Sequence, residues 1–460
     1  MDGIGAAYGR RVAVCSASPS DHPYPEAPMP ESTRRDFLAT AAHGSAALAA
    51  AGLVAPALAG PRRRSALDSV NIGLVGCGGR GSGAANDSLS VNPEARLVAM
   101  ADLDPTRAKS IRDQFKGDHG ERIDVPDERI HGGLDGFRKV IEDPSVDLVI
   151  LATSPGFRPQ HIEAAVQAGK HVFAEKPTCV DVAGWHSNCR MHDLARSQGT
   201  AIVTGTQYRR QKSFMEAIDR IRQGMIGEVV SATARYCSNG IWYRERKPGM
   251  SDLEYQLHNW MHFIWLSGDQ PVEQAVHNID ALCWIMGGPP EAVFATGSRW
   301  DRPADSEMWD SFAFDYRWPG GRTASFTGRH WPNSTNEFDN VVYGSEGIAY
   351  IRAFNDGARI TDRAGKELWS MPGDIGAAYR QEHKDLVESI KAGKPIVELR
   401  ETADSSLAAV MGREAAYSGT ATTWEYMTNR SRLDLFPKSL GSGGPVPKPF
   451  VRKPGAYRLS

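Results

Sequence analysis

Three short stretches carry residue types and spacings that can do chemistry. The first is Gly76-Cys77-Gly78-Gly79-Arg80-Gly81, a G-x-G-x-x-G run directly after the β-rich segment 70–75. Glycines in this pattern permit a tight turn, a close approach of backbone to a pyrophosphate, and close helix–strand packing. A second apolar segment, 95–101, ends in Asp102, where a carboxylate can bind ribose hydroxyls. The second stretch is Glu175-Lys176-Pro177, after the apolar segment 171–174; it puts a lysine where parallel sheets place ligands. The third is Glu273-Gln274-Ala275-Val276-His277-Asn278-Ile279-Asp280. On one continuous helix, Glu273 and His277 share a face at i, i+4 and Asp280 follows three residues later. An acid four residues before a histidine can orient it and raise its basicity, and a histidine near neutral pKa suits a general base.

These stretches need a scaffold that brings them together. Between 70 and 204, short apolar runs alternate with helical segments, which implies a doubly wound parallel sheet. Asp104-Pro105 reads as an N-cap followed by an N1 proline. The run Ala152-Thr153-Ser154-Pro155 turns out of the strand 147–151. Ser213-x-x-Glu216 matches a capping box opening an amphipathic helix. Beyond it the period changes to two: Phe312, Phe314, Tyr316 and Trp318 alternate with polar residues, and Val341–Tyr343 with Ile348–Ile351 flank a Gly-Ser-Glu-Gly turn. Such strands in series indicate a large, mostly antiparallel open sheet. The fold class expected is therefore α/β, with a first domain over 68–195, a second over 196–435, and an extended tail over 436–460.

The glycine motif, the acid after the second strand, and Ala168-Gly-Lys-His-Val-Phe-Ala-Glu-Lys-Pro177 together resemble the Gfo/Idh/MocA oxidoreductase family, which includes glucose–fructose oxidoreductase and inositol dehydrogenase. The resemblance implies a Rossmann domain followed by an α/β domain whose sheet mediates homo-oligomerisation. It implies NAD (NADP as the alternative, given Arg107 beside Asp102) held by Gly76, Cys77, Gly78, Arg80, Gly81, Asp102, Thr153, Pro155, Glu175 and Lys176. It puts Lys176 beside the nicotinamide and the substrate hydroxyl, with the proline often preceded by a cis bond. It makes His277 the proton acceptor and Glu273, where the family more often has Asp, its orienting acid. Gln207-Tyr208-Arg209-Arg210 is similar to a polar-arginine segment of the family, which makes Arg209 a substrate contact, with Asp280 at a further family position. Trp242, Tyr243 and Trp260 fall in polar, loop-like sequence and are candidate pocket walls for a carbohydrate or polyol, as is Trp331.

The implied reaction is oxidation of a secondary hydroxyl of a sugar, polyol or glycoside with a tightly held, internally recycled cofactor. An NAD-dependent glycoside hydrolase working by oxidation, elimination, hydration and reduction is one alternative; a non-catalytic sugar-binding homologue is another. His258 and His262 are also i, i+4, but residue 259 is Asn, so the Glu of an HExxH metal site is missing, and no metal is expected.

Composition excludes other classes. Lys plus Arg is 53 and Asp plus Glu is 55, a net charge of −2, which provides no general attraction to nucleic acid. Six cysteines in 460 residues are too few for a disulfide scaffold, so buried free thiols are expected. No uninterrupted apolar run has membrane-spanning length. Residues 1–30 are proline-rich and aperiodic, an unstructured or mis-started N-terminus. Over 31–60, Arg34-Arg35, an Ala/Leu-rich stretch and Ala57-Leu58-Ala59 form the pattern of a twin-arginine export signal, implying the twin-arginine machinery as partner and a periplasmic or extracellular location.

Overall fold

The computed structural model describes residues 69–438, 440 and 445–460. The export-signal pattern and the preceding residues lie outside the described residues. Six strands form the first sheet: β1 Val70–Val75, β2 Ala95–Asp102, β3 Ile130–Gly132, β4 Leu148–Leu151, β5 His171–Ala174 and β6 Ile202–Thr204. Their order is β3-β2-β1-β4-β5-β6 and every pair is parallel. The sheet is apolar on both faces. Leu74, Leu148, Ile150 and Phe173 face the helices Gly79–Val91 and Ile375–Lys391. Val75, Val149, Leu151 and Val172 face the helices Gly136–Glu142, Arg158–Gln167 and Val182–Gln198. The strand order reverses between β1 and β4, the switch point at which such sheets bind ligands beyond their carboxyl ends.

Local signals set these elements. Asp104 caps the helix Pro105–His119 by accepting from the Thr106 N–H, with proline in the first turn. Gly169 ends the turn after Arg158–Gln167 at φ +69°, a conformation that favours glycine. The sheet extends past residue 195, because β6 pairs with β5 and completes the parallel array. The chain also returns late: Ile375–Lys391 packs on the first sheet through Leu386 and Val387.

The second sheet has nine strands: β7 Val229–Ser238, β8 Ala292–Ser298, β9 Ser311–Arg317, β10 Thr323–His330, β11 Glu337–Gly344, β12 Gly347–Arg352, β13 Ala358–Asp362, β14 Glu367–Met371 and β15 Thr422–Thr423. They run in the order β14-β13-β12-β11-β7-β10-β9-β8-β15, antiparallel except for β7 with β10. The period-two reading of β9 holds: Phe312, Phe314 and Tyr316 are buried while their neighbours face out. That inner face packs against the helices Val276–Met286 and Leu399–Ser418. Gly412 lies where a Cβ would collide with the ring of Phe314, which explains the small residue there.

The capping box at Ser213 does not form. The helix Lys212–Arg222 begins one residue earlier, so Ser213 has helical backbone and cannot cap it. Glu216 pairs with Arg220 instead. The chain end is extended but docked: Arg452 is buried and pairs with Glu307 at 3.1 Å, and the Tyr457 hydroxyl donates to Glu414 at 2.7 Å. The cysteines at 77, 179, 189, 237 and 283 are free thiols.

Candidate active site

The glycine motif fulfils its three tasks at separate positions. Gly76 has φ +94°, and a Cβ there would press on the backbone of Ala152 and Thr153. A Cβ on Gly81 would collide with the Gly76 carbonyl, so this glycine lets the helix Gly79–Val91 close onto β1. Nothing stands within 4 Å of where Cβ atoms on Gly78 and Gly79 would be. That open space, at a helix N-terminus, fits a pyrophosphate. A cavity of about 300 Å³ runs from it to Asp102 at the end of β2. The Asp102 carboxylate accepts from the Cys77 N–H at 2.7 Å and the Asp104 N–H at 3.0 Å, which aims it at the cavity. Arg107 stands 3.4 Å from it on the solvent side. Cys77 contributes differently from expectation: its N–H is committed to Asp102, and burial beside that carboxylate raises its thiol well above its usual range.

A second cavity, about 270 Å³, opens from the first; both are lined by Arg80, Ala152, Thr153 and Trp260. Lys176, Glu175, Glu273, His277 and Pro155 meet there. Lys176 precedes a cis proline at the end of β5, and its Nζ donates to the Glu273 carbonyl at 2.6 Å and to Glu273 Oε1 at 3.0 Å. Arg80 reaches back from the glycine loop to Glu175 at 2.6 Å and lies 4.6 Å over the ring of Tyr379. His277 is buried; its Nδ1 has no hydrogen-bond partner among the described residues, and its ring lies 5.2 Å from that of Tyr208. Burial, with Lys176 and Arg80 adding to it, holds His277 well below the ordinary imidazole value. It is therefore a neutral acceptor at pH 7.

Three expectations need correction. Glu273 does not orient His277. The helix breaks at Gln274 and Ala275, leaving Gln270–Glu273 and Val276–Met286 as separate segments, so the i, i+4 register is lost and Glu273 turns to Lys176. Arg209 and Asp280 do not face the cavity. They form a two-pronged ion pair at 2.8 Å and 2.8 Å, with Ser405 donating to the same carboxylate at 2.6 Å. This buried pair ties the segment after β6 to the His277 helix, a positioning task. Of the aromatic candidates, only Trp260 lines the catalytic cavity. Trp242 sits behind it, at a ring separation of 6.1 Å. The Tyr243 hydroxyl bonds to Tyr255 at 2.7 Å and Asp305 at 3.2 Å. Trp331 is exposed and packs with Arg329.

Several lining residues had no sequence signal. Arg158 is buried under the cavity floor, bound to the carbonyls of Leu151 and Thr153, and burial lowers it to about 10. Tyr236 comes from β7, Phe354 from a turn, and Tyr379 from the late helix Ile375–Lys391. His262, weighed as a metal ligand, uses Nδ1 on Ser306 at 2.8 Å and Nε2 on the Trp242 carbonyl at 2.7 Å.

The chain is similar to known proteins in sequence and in fold. The chain is 25% identical over 372 residues to a myo-inositol 2-dehydrogenase of Thermotoga maritima, covering 76% of this chain and 96% of that one. It is 24% identical to glycosyl hydrolase family 109 protein 4 of Phocaeicola vulgatus over 50% of this chain and 45% of that one. Its fold superposes on a levoglucosan dehydrogenase solved with NADH and levoglucosan, with a TM-score of 0.61, 19% identity, and coverage of 77% and 99%. Residues 70–206 match the oxidoreductase family with an NAD-binding Rossmann fold, and residues 214–350 match the GFO/IDH/MocA C-terminal domain. By these two matches, which together span more than half of its length, the chain belongs to the GFO/IDH/MocA family of NAD-dependent oxidoreductases.

Proposed function

We propose that this enzyme oxidises a secondary hydroxyl of a sugar, polyol or glycoside. The observation that carries the reading is the single cavity in which a buried, neutral His277 and a carboxylate-anchored Lys176 open onto the nucleotide cradle. NAD, when bound, supplies the hydride acceptor. His277 takes the hydroxyl proton, and Lys176 donates a hydrogen bond to the same oxygen. Glu273 fixes Lys176 by gripping it at both its carbonyl and its carboxylate. The carbinol loses one hydride and one proton and becomes a carbonyl, so the balance needs no further reactant. The arrangement of Asp102 favours NAD, because a 2′-phosphate beside that carboxylate would be repelled.

The Arg34-Arg35 pattern supports export by the twin-arginine route, to a compartment without a soluble nucleotide pool. The enzyme would then hold its cofactor through turnover and reset it with a second substrate. Likeness to a glycosyl hydrolase family 109 protein supports a second reading, in which oxidation acidifies a neighbouring C–H, the aglycone leaves, water adds and hydride returns.

The test uses the processed protein purified without added nucleotide. Denaturation releases any bound nucleotide for identification, while native protein is assayed with sugars, polyols and aryl glycosides at 340 nm. Bound NAD with turnover and no accumulating NADH is the expected result. Aglycone release without net oxidation selects the hydrolase reading. An empty protein that needs added NAD and accumulates NADH contradicts the recycling scheme.

A further inference from the structure

One residue lining the catalytic cavity has a backbone conformation that its type rarely adopts. Phe354 sits in the turn between β12 and β13 with φ +58°. Among the described residues two other non-glycines have a positive φ, Asp269 and Asn333, and both are of the short polar kind that tolerates it. A bulky aromatic in this conformation is strained. Such strain persists where the surrounding structure imposes it, and it concentrates at working sites.

The groups that impose it are near the site. The Arg352 N–H donates to the Gly357 carbonyl at 2.9 Å and closes the turn, while the Ala353 N–H donates to the Phe338 carbonyl at 3.0 Å. Asn355 Oδ1 accepts from the Ile375 N–H at 3.1 Å. Buried Gln211 donates from Nε2 to the Phe354 carbonyl at 2.6 Å. Gln211 belongs to the same stretch of chain as Gln207 and Tyr208, which line the cavity and pack Tyr208 against His277. The turn is thereby held in register with the base. Packing gains little from the strain: the Phe354 ring meets Phe338 edge-on at 5.2 Å and stays 41% exposed. A phenylalanine that served the core alone would be buried. This one keeps an apolar surface open in a cavity whose working groups are polar.

We propose that Phe354 is a specificity-determining residue: the C–H face of a substrate ring packs on its phenyl group while the hydroxyl to be oxidised reaches Lys176 and His277. A pyranose or cyclitol presents such a face ready-made, with its hydroxyls at the ring edge for hydrogen bonds. An open-chain polyol has no fixed face and must give up rotational freedom to form one. The substrate class narrows to cyclic carbinols. This inference rests on the reaction proposed above.

The experiment compares ring with open-chain substrates, myo-inositol and methyl hexopyranosides against sorbitol and galactitol, by kcat/KM and by calorimetric binding to the NADH-loaded enzyme. The wild-type enzyme should prefer at least one ring compound over both open chains by about tenfold or more. Phe354→Ala should lose most of that preference through KM rather than kcat, and Phe354→Tyr should keep it. Phe354→Gly separates contact from conformation, because glycine adopts the positive φ freely. It should be as impaired as Phe354→Ala while unfolding at no lower urea concentration. Wild-type KM in Phe354→Gly would mean that the ring acts only through the turn, and overturns the proposal. Ring and open-chain compounds oxidised equally well by the wild type overturn it too, and leave the reaction standing. A protein that neither oxidises nor binds any of these compounds overturns the reaction and the role of Phe354 together.

Discussion

The base proposed for this cavity is a buried imidazole with one nitrogen unpartnered among the described residues, and its environment sets the response to acid that the proposal predicts. His277 works when deprotonated. Because burial and two cations lower its pKa, it takes up a proton only well below 6.5. The kcat profile should therefore stay level from neutral pH down to 6.5 and fall only at lower pH. Half-maximal activity at or above 6.5 would contradict this. His277→Ala should lower kcat by about 10²–10⁴-fold, read in single turnovers at 340 nm. Glu273→Gln should lower kcat by loosening Lys176 while leaving the acid limb in place, since Glu273 faces Lys176 and not His277. A shifted limb would restore the orienting role that residue spacing suggested. That role was illegible in sequence because the helix break at Gln274–Ala275 carries no glycine or proline to announce it. Arg209 was misread for a related reason: its partner Asp280 lies 71 residues away, and nothing local reveals a long-range ion pair.

Elements whose burial pattern is uninterrupted were easy to read. The parallel strands β1, β2, β4, β5 and β6 and the period-two strand β9 follow directly from their apolar spacing, whereas β3, three residues of which only Ile130 is buried, offers no such run. The late helix Ile375–Lys391 was not anticipated as part of the site, although it brings Tyr379 under Arg80 and packs on the first sheet. Its packing partner is a sheet some two hundred residues earlier in the chain, and periodicity describes a face without naming what covers it. This helix also carries His383, buried against Phe173 at 4.1 Å with neither ring nitrogen partnered among the described residues, and lowered by burial to about 3. The unfolded chain binds a proton at this residue below 6.5 and the folded chain does not, so the residue costs stability as pH falls from 6.5 toward 3. His383→Phe should gain on the wild type by about 1.4 kcal/mol per pH unit below 6.5, measured by urea unfolding at pH 7.5, 6.0 and 5.0. Parallel stability curves for the two proteins would contradict it. On the helix Leu399–Ser418, Gly412→Ala should cost about 1–3 kcal/mol by overpacking against Phe314, read from the same denaturation midpoints.

At the scale of the whole molecule, the two sheets and the returning chain end hold the cavities in register. Glu307 shows how. It accepts from the Ile264 N–H at 2.7 Å, next to the aromatic segment of the site, and from Arg452 at 3.1 Å in the docked chain end. Arg452→Ala would leave that carboxylate buried without its cation and should cost about 3–5 kcal/mol in urea unfolding. The proline-rich composition of the end indicated an extended chain but carried no signal of what it docks on. We propose the homo-oligomer that the family resemblance implies; sedimentation should give a multimer, and a monomer at micromolar concentration would contradict it. The central claim is hydride transfer from a carbinol to NAD with His277 as base. Its most direct measurement is a single-turnover mixing of NAD-loaded enzyme with sugars, polyols and glycosides, followed at 340 nm for wild type and His277→Ala. The expected result is a rise of up to one NADH per site with at least one substrate, lost or greatly slowed in the variant. NAD bound in the cradle but reduced by none of them, or reduced equally fast without His277, would contradict the account.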